Sequence, residues 1–263
     1  MTETKIDPML ERSIAQMTAA IGDILSDREP SIYLYGSVVL GDFRLGWSDI
    51  DLLVLTKSGI TEEQAERLVG LRQSMLECEP DNRYYRSFEG GMLSLDAFLS
   101  GAPDRVVYWG TSGQRITDRH AFDSFSMSEL LTNGRLLRGD DVRSALKAPS
   151  FGELRRDITY HYDTIRKYAQ TTDRSLYSFG WLLDIARGIY TLRERRVIAK
   201  TDAGVWALEN RLCPDPDELA LAVELRRDPS RFNDLMRDHA ETLGDAVQRF
   251  ADVLERELAE HTA

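Results

Sequence analysis

Apolar positions along the chain change period several times, and each change marks an element. From residue 8 to 26, Met9, Leu10, Ile14, Met17, Ile21, Ile24 and Leu25 recur at helical spacing, which predicts an amphipathic helix. A short apolar run over 31–35 predicts a strand, 38–41 a short helix, and the run over 50–56 a second strand. Thr61 followed three residues later by Gln64 has the form of a capping box and opens a helix to about residue 76. A third strand falls within 83–99, its pattern broken by Gly90-Gly91. Beyond about Ala121 the spacing is helical throughout, with helices expected over 128–133, 151–171, 175–195, 200–211, 217–227 and 229–260. Gly139-Asp140, Pro149-Ser150 and Cys213-Pro214-Asp215-Pro216 punctuate them. The chain therefore reads as an α+β domain over 1–120 followed by an all-helical domain over 121–263.

One stretch of the first domain specifies chemistry. The strand ending at Tyr35 runs into Gly36-Ser37, whose small side chains let backbone N–H groups approach an anion, with the N-terminus of the expected short helix next to it. After Ser48 come Asp49 and Asp51, one residue apart at the start of Leu52-Leu53-Val54-Leu55. Alternation along a strand puts both carboxylates on one face, where two like charges beside an apolar run are costly unless a cation neutralises them. Oxygen ligands in that arrangement suit hard divalent ions.

Gly-Ser followed by Asp-x-Asp resembles the nucleotidyltransferase superfamily typified by DNA polymerase beta, over about the first hundred residues. The fuller string from Tyr35 through Gly41-Asp42-Phe43-Arg44 to Ser48-Asp49-Ile50-Asp51-Leu52-Leu53-Val54 resembles the aminoglycoside adenylyltransferases that modify spectinomycin and streptomycin. The resemblance implies a polymerase-beta-like nucleotidyltransferase domain followed by a helical substrate- and nucleotide-binding domain. It implies Mg²⁺ held by Asp49, Asp51 and a third acid, with ATP as co-substrate bound at Gly36, Ser37 and Ser48. The third acid is Glu89, in Phe88-Glu89 leading into an apolar strand; Asp96 is the alternative, placed where the strand ends and a capping role also fits. Glu89 is then also the general base.

The resemblance extends into the helical half. Trp181 to Leu192 resembles the family helix that carries an arginine to the nucleotide, and Ile198-Ala199-Lys200 follows at the family's interval, so Arg187 and Lys200 are implied as triphosphate contacts. Read from local sequence alone, both would be surface charges, Arg187 pairing with Asp184 or Glu194. For the acceptor, Tyr168 and Asp173 offer an aromatic wall and a carboxylate for a protonated amine, with Tyr177 nearby. The chain departs from the streptomycin-modifying pattern: Tyr177 stands where a further aspartate is usual, Trp109 is offset from the family tryptophan, and Arg226 or Arg227 replaces a late tyrosine. Spectinomycin is thereby favoured over streptomycin.

Composition narrows this little further. With 263 residues, 42% hydrophobic and 29% charged, the chain has the make-up of a globular protein. A net charge of −11 argues against nucleic acid as partner and suits a small cationic substrate. Cys78 and Cys213 have no metal-ligand spacing and are expected to be reduced thiols. His120, His161, His239 and His261 are scattered without ligand spacing. Neither a secretory signal nor a membrane span is visible, so a cytoplasmic location is expected; a monomer is assumed, the oligomeric state being open. The expected reaction is transfer of AMP from ATP to a hydroxyl of an aminocyclitol-type antibiotic. The alternatives are the same chemistry on a protein side chain or another small hydroxyl acceptor, and a non-catalytic nucleotide-binding regulator.

Overall fold

The helix expected first is α1 (Pro8–Ile24), capped by the Asp7 carboxylate accepting from the Met9 N–H. The strand after it is β1 (Ser31–Tyr35), and β2 (Ile50–Thr56) pairs with it antiparallel. Thr61 and Gln64 form the reciprocal capping box that starts α2 (Glu62–Cys78). A 3₁₀ turn over Arg83–Ser87 then leads into β3 (Phe88–Ser94), which lies parallel to β2. The chain continues through α3 (Leu95–Ser100), β4 (Val106–Gly110), β5 (Gly113–Thr117), α4 (Ser124–Thr132) and β6 (Arg135–Arg138). This computed structural model describes residues 7–103, 105–110 and 113–261.

The six strands form one mixed sheet in the order β5-β4-β3-β2-β1-β6. Alternation divides its faces. Ile32, Leu34, Ile50, Leu52, Val54, Met92, Val107 and Trp109 pack with Leu10, Ile14, Met17 and Ile21 of α1 and Ala65 and Leu68 of α2 into one buried core. The register pairs Tyr35 with Asp51, Asp51 with Glu89, and Gly91 with Tyr108, so these residues project from the opposite face. That face carries the chemistry.

The remaining helices are α5 (Phe151–Tyr168), α6 (Leu176–Glu194), α7 (Lys200–Glu209), α8 (Pro216–Arg227), α9 (Asp234–Ala240) and α10 (Gly244–Glu260). In this all-helical region α6 is central: Phe179, Leu182, Leu183, Ile185, Ala186, Ile189 and Leu192 are buried, and α5, α7, α8 and α10 pack around it. Gly204 on α7 lets that helix close on its neighbours, since a Cβ there would lie 2.7 Å from Val223 and 2.9 Å from Leu183. None of the helices among the described residues is long and apolar enough to cross a membrane.

Three sequence expectations change. Residues 38–41 form a turn instead of a helix, because Gly36 and Gly41 both take positive φ and the Asp42 N–H donates back to the Ser37 carbonyl, closing the chain before a helix can propagate. The segment 229–260 is broken into a 3₁₀ turn over Pro229–Arg231, α9 and α10, with Asn233 capping α9 through the Met236 N–H. The chain beyond Ala121 is also not helical throughout, since β6 returns to the sheet beside β1. By contacts one compact unit runs through Phe122 and takes up Glu129–Ala148, while the other comprises Asp123–Ser128 and the chain from Pro149 onward.

Candidate active site

The turn after β1 is built around Asp51. Gly36 has φ +72°, and a Cβ placed there would lie 2.0 Å from Asp51 Oδ2, so both conformation and space require glycine. Ser37 Oγ donates to the Asp49 carbonyl at 3.2 Å, fixing the Gly-Ser turn against the start of β2. Ser48 is buried and its Oγ accepts from the Arg44 N–H at 2.9 Å, closing the loop that delivers Asp49. Gly90 also has no alternative residue, because a Cβ would fall 1.8 Å from the Leu52 carbonyl oxygen. This close approach seats β3 on β2 and sets Glu89 level with Asp51.

The carboxylates then interact. Burial and the nearby Asp49 charge push the Glu89 carboxyl up to about 7, and a hydrogen bond between the two side chains adds to the rise. Opposing this, the Tyr108 hydroxyl donates to Glu89 Oε1 at 3.0 Å and the Arg72 charge favours the ionised form. Tyr108 is itself backed by Arg115, whose guanidinium lies 4.4 Å from the ring centroid. Arg72 is held by donation to the Phe88 carbonyl at 2.7 Å. Asp96 lies in the first turn of α3, whose cap is Ser94 accepting from the Ala97 N–H, and Glu89 is the acid that meets Asp49. Tyr108 and Arg72 were not identified from sequence; Tyr108 could have been, as an alternate position in the β-forming run Val106-Val107-Tyr108-Trp109.

Among the described residues, no group of three or more His, Cys, Asp or Glu side chains is already closed around a metal centre. The donor set nonetheless fits Mg²⁺. Asp49, Asp51 and Glu89 offer hard carboxylate oxygens on adjacent strands, and the Asp49–Glu89 pair is close enough to share a proton. A cation taken up there removes the repulsion that now raises Glu89.

The helical region gathers a second set of expected residues. Lys200 Nζ lies 2.7 Å from Asp184 Oδ1, and Arg187 stands 4.0 Å from the same oxygen with its guanidinium 5.0 Å from the Phe125 ring centroid. Burial alone would raise Asp184, yet Lys200 and Arg187 hold it below the usual carboxylate value. The expected acceptor residues are placed less closely. Tyr168, at the end of α5, is exposed with Lys167 Nζ 4.7 Å from its ring centroid, and Tyr177 is exposed in the first turn of α6. Asp173 accepts from the Ser175 N–H at 3.0 Å and from the Ser175 and Ser178 hydroxyls, hydrogen bonds that lower its carboxyl and order the entry to α6.

The nucleotidyltransferase domain family matches residues 21–94, which span α1 to the end of β3 and include the Gly-Ser turn and all three acids. None of the curated proteins matches the chain in sequence. Among solved structures, the fold is similar to that of spectinomycin adenyltransferase AAD(9) from Enterococcus faecialis, determined with ATP and spectinomycin. The two are 15% identical, with a TM-score of 0.65, over 93% of this chain and 99% of that one. At this identity the likeness is one of fold. Residues 21–94 are a polymerase-beta-like nucleotidyltransferase domain, which the chain joins to an all-helical C-terminal region.

Proposed function

We propose that the protein transfers AMP from ATP to a hydroxyl of a small cationic acceptor, an aminoglycoside or aminocyclitol with spectinomycin favoured over streptomycin, and releases pyrophosphate. The observation that carries the reaction class is Glu89, a carboxyl pushed up to about 7 beside Asp49 and level with Asp51 at the foot of the Gly36–Ser37 turn. Cation uptake at the neighbouring acids removes that proton, leaving Glu89 in the ionised form that can take one from the acceptor hydroxyl. Similarity of fold to a spectinomycin-bound adenylyltransferase supports the acceptor class.

In this reading Asp49, Asp51 and Glu89 hold Mg²⁺, which when bound neutralises charge on the triphosphate. Gly36 and Ser37 present backbone N–H groups to the phosphates, and Ser48 keeps the loop that positions Asp49. Glu89 takes the proton of the acceptor hydroxyl as its oxygen attacks the α-phosphorus in line, and pyrophosphate leaves opposite. Tyr108 holds the Glu89 carboxylate toward the acceptor. Arg187 and Lys200 are assigned to the triphosphate, with Asp184 lying against both before ATP arrives. Tyr168, Asp173 and Tyr177 are assigned to the acceptor's ring and ammonium groups.

Pyrophosphate release with ATP or GTP, Mg²⁺ and, in turn, spectinomycin, streptomycin, a kanamycin-type compound and a lincosamide tests the proposal. Release that depends on spectinomycin, with a product heavier by one AMP, is expected. Transfer of AMP to a protein with no small molecule modified contradicts the acceptor class, and retained ATP binding without release across the panel contradicts the reaction.

A further inference from the structure

The last turns of α2, the 3₁₀ turn Arg83–Ser87 and β5 enclose an open groove of about 690 Å³, within the size range of small-molecule sites. Two guanidiniums face it. Arg72 is fixed by its donation to the Phe88 carbonyl at 2.7 Å and by the Gln114 amide oxygen turned onto it. Arg86 is exposed and has no hydrogen bond or ion pair among the described residues. No carboxylate among the described residues stands within ion-pair distance of either arginine. The one acid on the rim, Glu77, instead accepts from Gln73 Nε2 at 3.0 Å.

The chain carries a net charge of −11, and two arginines nearby do find acids: Arg12 reaches Glu79 and Arg105 reaches Glu62, each at 2.9 Å. Arg72 is moreover partly withdrawn from water, and burial lowers its affinity for the proton it must keep, with the Glu89 and Asp49 charges opposing that loss in part. Two guanidiniums around one groove, with Leu76 and Pro80 as the apolar part of its lining, complement a compact anion attached to a small body.

We propose that this groove binds a phosphate-type oxyanion. Its place in the sheet gives the site a meaning. The Gly36–Ser37 turn ends β1, the paired aspartates start β2 and Glu89 lies near the start of β3, while Phe88, which holds Arg72, opens that same strand. Gln114 pairs with Trp109, whose side chain lies on the α2-packed face, so the groove opens on the α2 side of the sheet toward β5, with Arg72 reaching the start of β3. The oxyanion has two possible sources: pyrophosphate released by nucleotidyl transfer, or a phosphate carried by an acceptor. The second deepens the proposed reaction and rests on Glu89 being its base; binding of the anion itself does not.

The test uses the full chain without ATP or Mg²⁺, so that it is independent of turnover. Inorganic pyrophosphate and glycerol 3-phosphate are titrated calorimetrically into wild type, Arg86→Ala, Arg86→Glu, Arg86→Lys and Lys57→Ala. Lys57 is exposed, pairs with Glu29 at 2.6 Å and controls for the loss of one positive charge. Arg86→Ala should weaken binding by about fivefold or more, the scale of one charge-assisted hydrogen bond in an open site. Arg86→Glu should abolish binding and Arg86→Lys, which keeps the charge but loses the planar fork, should fall between wild type and Arg86→Ala, while Lys57→Ala should stay within about twofold of wild type, as loss of a point charge at an exposed position elsewhere costs little. A response to pyrophosphate alone assigns the groove to the product; a response to both anions assigns it to a phosphate-bearing acceptor. Wild type that binds neither anion, or Arg86→Glu that binds both as well as wild type, overturns the proposal. In either case the nucleotidyl-transfer reading stands or falls separately on Glu89→Gln.

Discussion

Glu89 in the first unit and Asp184 in the second are both partly buried carboxylates, yet they titrate in opposite directions. Asp184 has Lys200 at 2.7 Å and Arg187 at 4.0 Å, enough positive charge to overcome the cost of burial. Glu89 has Asp49 against it, and burial and repulsion outweigh the Tyr108 hydrogen bond and the Arg72 charge that favour its ionised form. The difference separates two uses of a buried acid. One is neutralised from within the fold and orders two cations; the other is left short of positive charge, which is the condition of a site that takes a cation and a triphosphate from outside.

Substitutions on either side should break this contrast by different amounts. The largest effect is expected at the cation-seeking site: Asp51→Asn or Asp49→Asn should cut turnover by at least about 10³-fold, measured as pyrophosphate release, because the charge that organises the reacting phosphates is lost. Glu89→Gln keeps shape and removes the base, so turnover should fall about 10²-fold or more while ATP affinity changes little. Turnover within about tenfold of wild type, or about 1.4 kcal/mol, would refute the assignment of the base.

Effects on stability are smaller. Gly36→Ala forces a Cβ onto Asp51 at positive φ, and urea denaturation should show a loss of about 1–3 kcal/mol. Asp184→Asn leaves Lys200 and Arg187 facing each other without their acid. Because these side chains are 18–32% exposed, the loss should be about 1–2 kcal/mol, below the value for a fully buried pair.

The pH dependence of metal-free stability has a different sign for each of the two acids. Glu89 is raised in the folded state, so folding binds a proton between pH 4.5 and about 7, and stability increases as pH falls through that window. Asp184 is lowered, so its contribution is complete above pH 3.8 and disappears as pH falls below. Thermal midpoints across pH 4.5–8 should therefore lose part of their slope in Glu89→Gln and keep it in Asp184→Asn.

The same contrast explains what was legible in the sequence. Gly36-Ser37 and Asp49-x-Asp51 can be read because local geometry sets them: a positive-φ turn, and alternation along one strand. The capping box at Thr61–Gln64 is equally local. Tyr108 and Arg72 were missed because their importance arises across strands, from register between β3 and β4 and from a helix residue reaching the carbonyl of Phe88. Strand β6 escaped for a related reason. Arg135-Leu136-Leu137-Arg138 is a four-residue edge strand, too short for a periodic signal, and its identity comes from pairing with β1 about a hundred residues earlier. Residues 38–41 failed in the other direction, since helix-compatible residues between two positive-φ glycines could not repay nucleation.

The most direct test of the central claim is the proton count when Mg²⁺ binds. Calorimetric titration of Mg²⁺ into the nucleotide-free protein at pH 7, repeated in buffers of different ionisation enthalpy, measures that count. With Glu89 near 7, wild type should release about half a proton as the ion is taken up, and Glu89→Gln should release almost none. Mg²⁺ binding with no proton release from wild type, or with equal release from both proteins, would contradict the account.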